Sequence, residues 1–268
     1  MDWIGWRGIF ELLAAATAVS AVLVYILVPE QAASLSKGPA PLSLKSVYVD
    51  PRFWRLAPLS ATCVGSAWVM QGLWAAAWLT DVEELDRPNV VTQLFVMAIA
   101  LSVGGFLLGS IADQMRRRGI GPERPFALLA MLFIAAQLAL ILRLPLPLSV
   151  LWSLVALVGA GTVLSYATVA EHFPKELTGR ANAVLNTFHF GWAFVLQYAI
   201  GSILQQWPSQ DGHYPTIAYQ VAFGFNIGLQ VAALAWFELA RLPAVRGLFR
   251  PSELLAIADR PTHTDDRP

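Results

Sequence analysis

His189 is the one titratable side chain set deep inside a long apolar stretch of this sequence, and no residue of a catalytic pair accompanies it. Hydrolytic or redox chemistry would need a nucleophile with an adjacent base, or a cluster of metal ligands. The other histidines, His172, His213 and His263, are scattered. Cys63 is the single cysteine, sits in an apolar run and cannot form an internal disulfide. No enzyme activity, metal site or cofactor is expected.

What remains is recognition chemistry. Uncharged polar and aromatic side chains recur within apolar runs: Ser60, Thr62, Ser66, Gln71 and Trp74 in one, Trp152, Thr162, Ser165 and Tyr166 in another, Asn186, His189, Gln197 and Tyr198 in a third. In hydrocarbon such a group costs free energy unless it is paired, so it either bonds a neighbouring helix or faces a polar cavity. Serine and threonine often bond their own helix backbone. The candidates for lining a solute cavity are Gln71, Trp74, Trp152, Ser165, Asn186, His189 and Gln197. Trp74 could stack on a planar or sugar-like ligand.

The elements that carry these residues are membrane helices. The chain is 56% hydrophobic and 13% charged, with a mean hydropathy of +0.56, which excludes an ordinary soluble domain. Balanced charge, formally +0, gives no reason to expect nucleic acid as a partner. Apolar runs at 9–28, 55–79, 91–111, 126–143, 147–170, 181–204 and 217–239 each approach or exceed the ~20 residues that cross a bilayer. They lack the alternation of barrel strands, so the fold class is all-α, a polytopic bundle of about seven transmembrane helices. The first run is no signal peptide: Trp3, Trp6, Arg7 and Glu11 replace a basic leader, and six further runs follow.

Charge gives the expected orientation. Lys37, Lys45, Arg52, Arg55, Arg116, Arg117, Arg118, Arg124, Lys175, Arg180 and the arginines from Arg241 to Arg267 fall on one side. Arg7, Arg87 and Arg143 fall on the other, with the acidic stretch Asp81, Glu83, Glu84 and Asp86. The N-terminus is expected outside and the C-terminus in the cytoplasm, which requires an odd number of spans. Trp54, Trp78 and Trp207 stand at span ends as interfacial anchors would. The proline- and serine-rich segment 29–52 reads as a linker between one leading helix, 1–28, and a set of six, 53–240; the tail 241–268 reads as disordered.

Two loops carry a family resemblance. GSIADQMRRRG, from Gly109 to Gly119, places a glycine, an aspartate four residues on and a basic cluster after the third run. AEHFPKELTGRANA, with Glu171, Pro174, Gly179 and Arg180, follows the fifth. Both resemble loops of the major facilitator superfamily of transporters, although Gln114 and Arg116 depart from that pattern. The resemblance implies that Gly109, Asp113, Arg117, Arg118 and Arg180 form a conformational latch. It implies that the leading helix corresponds to a sixth transporter helix and 53–240 to a C-terminal half. A complete member has twelve helices, so the chain reads as a fragment, and an N-terminal half is a further expected partner beside the lipid bilayer and an unidentified small solute. The expected function is secondary transport by alternating access. A non-transporting scaffold or a seven-helix receptor is the alternative; a retinal protein is excluded because Lys37, Lys45 and Lys175 all lie in loops.

Overall fold

The computed structural model describes residues 5–27 and 44–239, without the Trp6 side chain. The chain divides into two units, Met1–Pro41 and Leu42–Pro268. In the first, α1 (Trp6–Leu27) is a single apolar helix. Two of its hydroxyls are satisfied within the helix, Thr17 Oγ1 donating to Leu13 O at 2.8 Å and Ser20 Oγ to Ala16 O at 2.9 Å, so neither leaves a polar demand for lipid to meet. The tail 241–268 and residues 28–43 of the expected linker lie outside the described residues. Within the linker's last part, Leu44–Tyr48 forms a short helix, α2, with Val47 buried, so this part packs against the bundle.

The second unit is a helical bundle. Its elements are α3 (residues 51–81), α4 (Arg87–Arg117), α5 (Glu123–Ile141), α6 (Leu148–Gly159), α7 (Thr162–His172), α8 (Lys175–Leu204) and α9 (Thr216–Leu239). Among the described residues, six stretches are long and apolar enough to cross a membrane, namely Arg7–Leu27, α4, α5, Leu148–His172, α8 and α9. The span expected at 55–79 is α3. Its helical backbone is unbroken over about 45 Å at 1.5 Å per residue, but π turns at Ala61–Gly65 and Met70–Trp74 divide it into shorter α-helical pieces.

Local signals set the helix ends. Asp50 caps α3, its side chain accepting from Arg52 N at 2.8 Å with Pro51 next in line, and Asp86 caps α4 by accepting from Asn89 N at 3.2 Å. Gly119 ends α4 at φ 75°, where Ile120 N bonds Met115 O and Gly119 N bonds Arg116 O. That left-handed closure explains the last glycine of the GSIADQMRRRG segment.

A buried hydrogen-bonded chain holds the helices together. Trp192 Nε1 donates to Ser66 Oγ, Ser66 Oγ to Asn226 Oδ1, Asn226 Nδ2 to Gln137 Oε1, Gln137 Nε2 to Gln230 Oε1, and Gln230 Nε2 to Thr62 O, over 2.7–3.4 Å. It ties α3, α5, α8 and α9 where lipid offers no hydrophobic drive to associate. Gln137 lies in the run that reads as almost wholly apolar, and it serves this chain. Trp78 departs from its expected interfacial place: it is fully buried, stacked 5.1 Å from Phe223, with Nε1 donating to Glu83 Oε1 at 3.2 Å.

Candidate functional site

Trp68, between the two π turns of α3, is the junction of the candidate site. Its Nε1 donates to Gly159 O at 3.0 Å, and its ring stands 5.7 Å edge-on from His189 and 5.1 Å from Phe190. It therefore touches the break between α6 and α7 as well as α8. A π turn shifts the facing of every later side chain, and such turns recur at functional positions. Trp68, Gln71, Gly72 and Ala76 of α3 line one wall of an open groove of about 390 Å³, with Leu94 and Leu101 of α4 on the other.

Behind Trp68, His189 is fully buried. Its Nε2 lies 2.7 Å from Ser60 Oγ, its ring stacks on Tyr166 at 6.1 Å, and its Nδ1 has no hydrogen-bond partner. Tyr166 Oη donates to Asn186 Oδ1 at 3.0 Å, one helical turn from His189. α3, α7 and α8 thus bring Ser60, Tyr166, Asn186 and His189 together, with Trp68 as the shared wall toward the groove. Of the seven sequence candidates, Asn186 and His189 fall in this cluster; Ser60, Trp68 and Tyr166 join them from outside that set. Trp68 gave no polar-spacing signal, but an aromatic on the same helix as Gln71 and Trp74 could have been weighed with them.

The remaining candidates are spread. Gln71 lines the groove. Trp74, half-buried, faces Gly201 of α8, and its Nε1 has no partner. Trp152 is fully buried in the core with Nε1 unpartnered. Ser165 is buried and donates to Thr162 O at 3.1 Å, a bond within its own chain turn. Gln197 is exposed on α8. Between Arg55 and Asp81 of α3, Arg87 and Asp113 of α4, and Arg180 and Asp211 around α8, the sequence holds no Asp, Glu, Lys or Arg. The arrangement can stack on a ring and exchange neutral hydrogen bonds, and no metal-ligating cluster occurs among the described residues.

The latch residues implied by the resemblance are Gly109, Asp113, Arg117, Arg118 and Arg180. Asp113 pairs with Arg116 of its own helix at 3.0 Å, both well exposed, and Arg117, Arg118 and Arg180 are exposed. No side chain of a neighbouring helix approaches the Cβ position of Gly109. The ion cluster that joins helices at this end is Arg55, Glu123 and His172. Arg55 forks onto Glu123 at 2.6 and 3.0 Å, bonds Phe237 O at 3.3 Å and covers the Phe237 ring at 4.7 Å; His172 Nε2 lies 3.1 Å from the same carboxylate. An arginine, a glutamate and a histidine at the starts of two helices and the end of a third were legible as a group only once those ends were known to meet. At the opposite end, Asp81 gathers His213 Nδ1 at 2.7 Å, Tyr214 N at 3.0 Å and Tyr219 Oη at 2.6 Å, pinning the connection before α9.

A family model described as Major Facilitator Superfamily matches residues 1–197, from before α1 to Gln197 in α8. The chain belongs to the major facilitator superfamily. No curated protein matches it. The superfamily match takes in both resembling loops and every residue of the Trp68 cluster. It agrees with the strand-free helical fold of the described residues and identifies an integral, multi-pass membrane protein of a transporter family.

Proposed function

We propose that this chain moves a small solute by alternating access, with α3–α9 as the C-terminal six-helix half of a superfamily transporter and α1 as the helix before it. Residues 29–52 would then join the halves, and 241–268 would follow the last span. The supporting observation is the Trp68 cluster, where stacked rings meet an unpartnered polar atom, His189 Nδ1, inside otherwise uncharged spans. Intramembrane polar groups left without partners mark solute pathways rather than glue.

Burial supports a second half. Only 17% of the apolar stretch of α4 and 22% of that of α8 is buried, against 61% for α5 and 56% for Leu148–His172. In this reading α4 and α8 carry the surfaces that another six-helix half covers, and the exposed Asp113, Arg117 and Arg118 act as the latch across that junction. The lysine and arginine distribution supports an outside N-terminus and a cytoplasmic C-terminus.

The test is uptake. The chain is coexpressed with a superfamily N-terminal half, co-reconstituted into proteoliposomes and challenged with a panel of labelled sugars, amino acids, organic acids, organic cations and nucleosides. Saturable entry of a panel member is expected; absence of flux for every member, with both halves folded in the bilayer, refutes transport.

A further inference from the structure

The chemistry of the Trp68 cluster constrains the solute that this half holds. Along α3 from Leu56 to Thr80, along α4 from Pro88 to Ala112, along 144–170 and along α8 from Ala181 onward, the only ionisable groups are His189, Tyr166, Tyr198 and Cys63. His189 is fully enclosed by Ser60, Trp68 and Tyr166. A charged solute entering here would lose its hydration without meeting a counter-charge, which disfavours its binding. A neutral solute meets no such penalty. Every group offered is uncharged, and donors and acceptors are both present. The Gln71 amide, on the groove wall, supplies both kinds.

The walls add shape. Trp68 and Tyr166 place aromatic rings against His189, Phe190 lies 5.1 Å from Trp68, and Trp68 stands at the boundary of a groove of about 390 Å³. That volume lies at the small end of the ~300–1,000 Å³ of small-molecule sites. Ring faces favour flat contact with another ring.

We propose that Trp68 and Gln71, on the groove wall, form the half-site for an uncharged polar ring bearing hydroxyl or amide groups, with the buried His189 and its neighbours Ser60 and Tyr166 backing Trp68, and that a carboxylate or ammonium on the ring is rejected. This rests on the transport reading. The 268-residue chain in lipid nanodiscs is equilibrated with four radiolabelled probes: glucose, uridine, glucuronate and glucosamine. The expected result is saturable binding of glucose or uridine, weakened at least 10-fold by Trp68→Leu, with glucuronate and glucosamine at least 10-fold weaker than glucose. Gln71→Ala, on the groove wall, gives the same direction where Trp68→Leu does not fold. Equal or tighter binding of a charged probe, sensitive to the same substitutions, overturns charge rejection and leaves transport standing. Failure of both neutral probes, or binding indifferent to both substitutions, overturns the site itself; the flux panel judges transport separately.

Discussion

A Cβ placed on Gly65 would lie 2.6 Å from the carbonyl oxygen of His189. α3 and α8 therefore cross with their backbones nearly in contact at the first π turn, and only glycine fits there. The closeness brings Ser60 within hydrogen-bond reach of His189. Gly65→Val would force the helices apart at a cost of about 1–3 kcal/mol, typical of overpacking. Thermal unfolding of the detergent-solubilised protein should show a lowered Tm. An unchanged Tm would mean that the crossing is looser than this contact requires.

Gln137 is the centre of the buried chain from Trp192 to Thr62, touching Asn226 and Gln230. Gln137→Leu strands Asn226 Nδ2 and Gln230 Oε1 in an apolar interior. Interhelical hydrogen bonds in membranes average about 0.6 kcal/mol and reach about 1.7, so the loss should fall in or slightly above that range in reversible SDS unfolding. The double substitution Gln137→Leu with Gln230→Leu should cost less than the sum of the two singles. Strict additivity would contradict a shared network.

Arg55 holds Glu123 through a two-pronged contact and has only 14% of its side chain exposed. Lysine keeps the charge but not the fork. Arg55→Lys and Arg55→Gln should both destabilise the bundle by about 1–3 kcal/mol, the scale of hydrogen bonds to charged groups. Full stability in the lysine variant would show that charge alone suffices.

Asp81 accepts from Tyr214 N, Tyr219 Oη and His213 Nδ1. Asp81→Asn replaces an acceptor with a group that cannot serve all three. Hydrogen exchange at the Tyr214 amide should accelerate by about 10-fold or more as the connection opens locally. Unchanged exchange would place the restraint elsewhere.

The spans were legible because a bilayer demands long apolar helices, and 87–117, 123–141, 175–204 and 216–239 enclose or nearly coincide with the runs read at 91–111, 126–143, 181–204 and 217–239. The interior detail of α3 was not. Pro58 lies within it, three residues before the first π turn, and hydropathy cannot register a change of helical pitch. Trp78 sits at a run end, as a belt residue would, yet stacks on Phe223; sequence position could not supply that neighbour. Asn186 and His189 stood out as polar groups in an apolar run and meet through Tyr166. Trp68 did not stand out, because an aromatic in an apolar run has no polarity contrast and its contacts come from two other helices.

Alternating access is tested most directly without knowing the solute. Cys63, the single cysteine, is buried, so Cys63→Ala with Gln71→Cys leaves one thiol on the groove wall. Right-side-out and inside-out vesicles carrying this variant with its N-terminal half are treated with a membrane-impermeant maleimide. A pathway through the groove predicts labelling from both sides of the membrane; labelling from neither side, or from one alone, contradicts it.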